Sequence, residues 1–235
     1  MIAAVVPAAG IGTRFAFGDS PQQASNAKQF VELGGKPLFS WALSVICRHP
    51  QIDSVIVMLS PQALDAMGDV VKRVIDSPKL TVAQGGATRQ ESVHRGLEYL
   101  DRQDEKPKFV IVHDAVRPFI TTKMIDETIE ALTRYGACTL GVQLTDTIKK
   151  VENGLIRQTL DRSSLYLIQT PQGGRFDWLL DGHRRAAEKQ IETTDDAAIL
   201  ELAGHDVSIV SGSPYNLKIT RPEDIKIAEA LAPLF

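Results

Sequence analysis

IAAVVPAAGIGTRF, Ile2 to Phe15, opens with six apolar residues and passes at once into a loop of alanines and glycines. A short, near-continuous apolar run reads as a strand covered on both faces, the habit of a parallel sheet. The loop after it exposes backbone N–H groups, and glycine at 10 and 12 lets that backbone approach an anion closely. Arg14 within the loop and Lys28 in AKQF (Ala27 to Phe30) add two cations. Such a strand end is prepared for a phosphate chain. It is not a Walker A loop, because no Gly-Lys-Ser/Thr follows, and it lacks the third glycine of the dinucleotide fingerprint. Gly18, Pro21 and residues 22 to 26 read as further loop.

Outward from this strand, apolar runs alternate with helical spacings. Ser54 to Leu59 (SVIVML) and Phe109 to Val112 (FVIV) read as buried strands, and Leu80 to Ala83 as a shorter one. Helical patterns cover 37–48, 61–75, 88–100 and 121–135, the last with Thr121 or Thr122 as N-cap and Gly136 as terminator. This cadence predicts an α/β fold, a mostly parallel Rossmann-like sheet with helices on both faces. The cadence breaks after a strand at 137–144. Two runs, Thr147 to Val151 and Leu155 to Leu160, flank Asn153-Gly154, a strong hairpin signal. A largely polar two-stranded ribbon is marginal alone, so it reads as an arm gripping a second subunit; the alternative is a solvated excursion from a sheet edge. A strand at 165–168, helices at 175–189 and 195–203, a strand at 207–210 and a helix from Pro222 complete one expected domain, 1–235, with an arm at about 144–164.

The chain has 235 residues and a formal net charge of −3, so no basic face announces nucleic acid. No apolar run has the length to cross a bilayer. The start lacks the basic region of a secretory leader, and a cytoplasmic location is expected. Cys47 and Cys138 have no metal or redox spacing and read as buried thiols, and the five histidines form no ligand pair.

Ligands of open parallel sheets bind outside the carboxyl ends of the strands. There the chain carries GGATRQES (Gly85 to Ser92), HDAVRPF (His113 to Phe119), Asp161-Arg162, QTPQ (Gln169 to Gln172), ETTDDAA (Glu192 to Ala198) and NLKITRPED (Asn216 to Asp224). Four cations, Arg14, Lys28, Arg162 and Lys218, with the strand-end carboxylate Asp114, describe phosphate chemistry. Positive charge stabilises the charge that grows on a phosphoryl group, and Asp114 can hold Mg²⁺. No Ser-His-Asp or Cys-His arrangement is spelled out. His113, ending a buried strand, reads as structural, and one of Asp195 and Asp196 as the cap of the helix they open.

With these motifs in hand, the chain resembles the 2-C-methyl-D-erythritol 4-phosphate cytidylyltransferases of the non-mevalonate isoprenoid pathway. The likeness runs in order through VVPAAGIGTRF, AKQF, GGATRQES, HDAVRPF, LTDTIKK, LDRSSLYLIQTPQ, TTDDA and NLKITRPED. It implies a dimeric nucleotidyltransferase with interlocking arms that uses CTP, methylerythritol phosphate and Mg²⁺, and neither nucleic acid nor membrane. Ala8, Ala9, Gly10 and Gly12 would line the CTP phosphates. Arg14 and Lys28 would act at the α-phosphate, and Arg162 and Lys218 would join them as catalytic cations. Gly86, Arg89 and Ser92 would recognise cytidine, and Asp114 would meet the ribose and the metal, with Arg117 close by. Thr147 and Arg162 would hold the sugar phosphate across the dimer interface, and Thr170, Thr194 and Lys218 would complete its pocket. The family usually has proline where this chain has Ala27, and often aspartate where it has Ala87. A ribitol 5-phosphate cytidylyltransferase shares HDAVRPF and the GG…R loop, and a non-catalytic CTP sensor is the alternative of another class. The PAAG form of the first loop and Asp146-Thr147-Ile148-Lys149 favour the methylerythritol enzyme.

Overall fold

The computed structural model describes residues 1–9 and 28–235, the side chain of Lys28 apart. The chain enters as β1 (Ile2–Pro7) and, past the undescribed stretch, forms a small hairpin, β2 (Glu32–Leu33) and β3 (Lys36–Pro37). Then α1 (Leu38–Arg48), β4 (Ser54–Leu59), α2 (Pro61–Val74), β5 (Leu80–Gln84), α3 (Arg89–Asp101), β6 (Phe109–Val112) and α4 (Thr122–Tyr135) alternate. β7 (Ala137–Gln143) leads into the ribbon β8 (Ile148–Glu152) and β9 (Leu155–Leu160), followed by β10 (Tyr166–Arg175), α5 (Phe176–Glu188), α6 (Asp196–Leu202), β11 (Ser208–Ser211) and α7 (Pro222–Leu231).

Seven strands form one sheet in the order β11-β7-β10-β6-β1-β4-β5. β1 pairs in parallel with β4 and β6, β4 with β5, and β7 with β11. Only β10 runs against its neighbours, antiparallel to both β6 and β7. The period of two sorts each central strand between two cores. Ala4 and Val6 face one cluster with Phe39, Leu43 and Ile125, while Ala3 and Val5 face the other with Leu97, Leu179 and Leu200. Helices α1, α2 and α4 thus cover one face, and α3, α5 and α6 the other.

The strand expected at 165–168 is longer than the sequence predicts and runs on through QTPQ to Arg175. Pro171 carries no N–H for a ladder, which makes the motif read as loop. The ladder with β7 absorbs it through an irregularity between Gln169 and Gln172. The ribbon β8–β9 forms where Asn153-Gly154 predicts it, with positive φ at both residues (52° and 77°), as a tight hairpin turn requires. Thr121 caps α4 through Met124 N, and Gly136 ends it. A third cluster (Leu33, Leu38, Phe119, Ile219, Ala228) packs α7 against β2 and the loop that follows β6, and Ile219 N donates to Val116 O at 2.9 Å. That bond brings Lys218 to the rim of the sheet. Among the described residues no helix is long and apolar enough to cross a membrane.

Candidate active site

The site gathers at the carboxyl ends of β1 and β6, under the start of α3. The loop after β5 lies against the end of β1: a Cβ on Gly85 would sit 3.0 Å from Ala9 Cβ and 2.9 Å from Ser92 Oγ. A Cβ on Gly86 would overlap the Glu91 side chain, so this backbone stays bare by steric necessity. Ser92 Oγ accepts from Gly86 N (3.0 Å) and donates to Thr88 O (2.8 Å), while Thr88 caps α3 through Glu91 N. Ala8 and Ala9 are buried, and Ala8 O accepts from Gln29 Nε2 at 2.7 Å. That bond ties Gln29 to the end of β1.

Asp114 is the electrostatic centre. Its Oδ1 receives Arg89 Nε at 2.7 Å and its Oδ2 receives Lys218 Nζ at 2.7 Å, with Arg117 Nε 4.0 Å away. Burial alone would raise its pKa; the Arg89 and Lys218 cations outweigh that and hold the carboxyl far below the usual range. Arg89 is shared. Its Nη2 lies 2.8 Å from Asp196 Oδ2 as an ion pair outside hydrogen-bond alignment, and the two carboxylates, working against burial, push its pKa up. Arg117 donates from Nη1 to Asn216 O at 2.8 Å, and its buried Nε has no hydrogen-bond partner among the described residues. Thr170 Oγ1 accepts from Asp114 N (3.1 Å) and meets His113 Nδ1 (3.2 Å). His113 Nε2 donates to Arg117 O at 3.0 Å, and burial pulls the imidazole pKa down to about 4. His113 is thus a neutral structural bridge.

Arg89, Asp114, Arg117, Thr170, Thr194 and Lys218 line one cavity of about 200 Å³, together with Gln169, Gln172 and Asp195. Of the residues expected from the sequence, these six come together. Gly86 and Ser92 stand next to them at the start of α3. Thr147 and Arg162 do not line the cavity; they lie at the base of the ribbon, both exposed, where Arg162 Nη1 donates to Thr145 O. Gly10, Gly12 and Arg14 lie outside the described residues, as does the Lys28 side chain.

Among the described residues no group of three or more His, Cys, Asp or Glu could hold a metal ion. Mg²⁺ asks for less, since one or two carboxylates with phosphate oxygens and water suffice. Asp114 fits that role: its Oδ2 is shared with a lysine whose side chain, 37% exposed, can turn toward a phosphate.

Several residues of the site carry no individual signal in the sequence. Gln172 Oε1 accepts from Asp196 N (2.8 Å) and Ala197 N (3.1 Å), and Asn216 Nδ2 donates to Thr170 O (2.8 Å). Asp195 is the cap of α6, with Oδ1 on Ala198 N, which leaves Asp196 free for Arg89 and His183. Two adjacent carboxylates at a helix start, of which one suffices as cap, were the available clue.

A model of the family described as 2-C-methyl-D-erythritol 4-phosphate cytidylyltransferase matches residues 2–233. An enzyme of that name from Halalkalibacterium halodurans is 37% identical over 227 residues, covering 97% of this chain and 95% of its own. A "Bifunctional enzyme IspD/IspF" from Nitrobacter winogradskyi is 40% identical over 230 residues, which are 97% of this chain and 55% of that longer one. Among solved structures, 4-diphosphocytidyl-2C-methyl-D-erythritol synthase from Anaerococcus prevotii superposes with a TM-score of 0.82 at 26% identity, covering 99% of this chain and 98% of its own. The Thermus thermophilus 2-C-methyl-D-erythritol 4-phosphate cytidylyltransferase gives 0.75 at 30% identity, with 97% and 98% covered. With a match across nearly its whole length and relatives at this level of identity, the chain belongs to the 2-C-methyl-D-erythritol 4-phosphate cytidylyltransferase family.

Proposed function

We propose that this chain transfers the cytidylyl group of CTP to the phosphate of 2-C-methyl-D-erythritol 4-phosphate, giving 4-diphosphocytidyl-2-C-methyl-D-erythritol and pyrophosphate. The observation that carries the reading, beside family membership, is Asp114 at the end of β6, flanked by Arg89, Lys218 and Arg117 in a polar cavity. An anionic oxygen of the sugar phosphate forms a bond to the α-phosphorus. The bond from that phosphorus to the oxygen bridging the β-phosphate breaks, and its electron pair leaves with pyrophosphate. The nucleophile is already ionised and needs no base, in keeping with a His113 imidazole that is buried and engaged at both nitrogens.

The work left to the protein is positioning and charge. Lys218 and Arg117 would steady the incoming phosphate, and Arg14 and Lys28 the α-phosphate. Ala8, Ala9, Gly10 and Gly12 would follow the triphosphate, and Gly86 and Ser92 the base. Asp114 would hold Mg²⁺, which would supply positive charge against the triphosphate. Thr147 and Arg162 would serve a partner subunit's cavity. Supporting that arrangement, Val151, Leu155, Ile156, Leu167 and Ile168, on the ribbon and the adjoining start of β10, are exposed apolar residues beside a ribbon too small to be stable alone. One domain spanning 1–235, an arm at about 144–164 and a location in the cytoplasm, where the charged substrates reside, belong to the same proposal.

The test is pyrophosphate release with Mg²⁺, each of the four nucleoside triphosphates, and methylerythritol phosphate or ribitol 5-phosphate as acceptor. Release with CTP and methylerythritol phosphate alone is expected. Preference for ribitol phosphate would reassign the acceptor, and CTP binding without release would make the protein a sensor.

A further inference from the structure

We infer that Asp196, seated on His183, is a positioning residue for Asp114, acting through the guanidinium they share, Arg89. The inference rests on the reading that this cavity binds Mg²⁺ and CTP. A guanidinium meets a lone carboxylate best through two parallel N–H groups. Arg89 does not do so here. Asp196 holds Nη2 at 2.8 Å, so Asp114 receives Nε alone, at 2.7 Å on Oδ1. Oδ2 is left to the half-exposed Lys218, whose Nζ lies 2.7 Å away, with Arg117 Nε at 4.0 Å. Without the Asp196 charge, Arg89 is free to rotate and take both oxygens of Asp114, which withdraws Oδ2 from the ligand.

Everything around Asp196 fixes its place. His183 Nε2 donates to its Oδ1 at 3.1 Å, and His183 Nδ1 has no partner among the described residues. Gln172, on β10, accepts from the backbone N–H groups of Asp196 and Ala197 and donates to Asp195 Oδ2 at 2.9 Å. Helix capping does not explain Asp196, because Asp195 does that. A carboxylate 1% exposed is costly unless paired, and its pairing is with the arginine of the cavity wall. His183 itself sits on the buried face of α5 with Leu179, Leu180 and Ala186.

The experiment measures Mg²⁺–CTP binding by calorimetry and steady-state kinetics for Asp196→Asn, alone and combined with Asp114→Asn. Asp196→Asn is expected to weaken CTP binding and raise the KM for CTP about tenfold, the scale for removing the support of a binding group, and to leave the KM for the sugar phosphate in place. On the Asp114→Asn background the same change should have no further effect. Unchanged CTP parameters, or an equal tenfold loss on both backgrounds, overturns the inference. If Asp196→Asn does not fold, His183→Leu and His183→Gln carry the test. Glutamine keeps an N–H donor and should retain several-fold tighter CTP binding than leucine, and equal losses overturn the inference. Wild-type protein that binds CTP without releasing pyrophosphate sinks the catalytic reading alone, since the calorimetric comparison still stands; failure to bind CTP sinks both.

Discussion

Asp114 is charged in a place where burial opposes charge, and two cations keep it so. Asp114→Asn would leave Arg89 and Lys218 without their common counterion, and kcat should fall by about two to three orders of magnitude, the scale for one preorganised electrostatic contact. Lys218→Ala should damage use of the sugar phosphate more than of CTP, and comparing the two KM values checks that division. Arg14→Ala and Lys28→Ala should each lower kcat on the same scale, a steady-state measurement in which normal turnover would remove both from the α-phosphate. His113 provides a pH signature. Its value in the fold is about 4 against an ordinary 6.5, so between those limits the unfolded chain holds a proton that the folded chain does not. Its contribution is complete above pH 6.5, and stability falls as pH drops from 6.5 to about 4. Asp114 and Asp196, both lowered, add their own loss only below their ordinary 3.8. Urea titrations across this range should show the upper slope in the wild type and a flatter one in His113→Gln.

At the scale of elements, the strands ending in the cavity were legible because they are buried on both faces. SVIVML and FVIV hold one polar residue between them, Ser54 at the very edge, and β4 and β6 run from the first to the last of those letters. Gly136 was equally legible as a stop. It sits at φ 85°, and a methyl group there would come within 2.7 Å of the Trp178 ring. Gly136→Ala should cost roughly 1–2 kcal/mol from the left-handed backbone alone, with the ring clash added, and a lower midpoint in thermal unfolding checks it. β10 shows the other side. Its second half looks like a loop because proline and glycine dominate TPQGG, and only neighbours on both sides, supplied by distant parts of the chain, keep it extended. The partition of Asp195 and Asp196 was invisible for a similar reason. Which carboxylate caps and which turns inward depends on Arg89 and His183, about a hundred and about a dozen residues away, and helix propensity alone does not separate them.

At the scale of the molecule, six of the residues expected from the motifs line one cavity, while Arg162 lies away from it. The ribbon was foretold by one Asn-Gly dipeptide; in the proposed dimer its destination is a surface of another chain, about which local periodicity is silent. Ile156 is 65% exposed on that ribbon. Ile156→Asp should convert a dimer to monomer in sedimentation equilibrium and raise the KM for the sugar phosphate, because Thr147 and Arg162 would no longer reach the partner. An unchanged mass would deny the ribbon that role. Tyr166, Leu167 and Ile168 begin the same strand that, at Thr170, borders the catalytic cavity and, at Gln172, anchors the start of α6. From Tyr166 to Gln172 is about 20 Å of extended chain, paired with β7 as far as Gln169 and joined by β6 at Gln172. One continuous backbone therefore joins the exposed outer end of the strand to the cavity wall, through the ladder irregularity between Gln169 and Gln172. Surface substitutions at Tyr166 to Ile168 chosen for solubility would therefore retune the chemistry as well, and the two traits would drift together under selection.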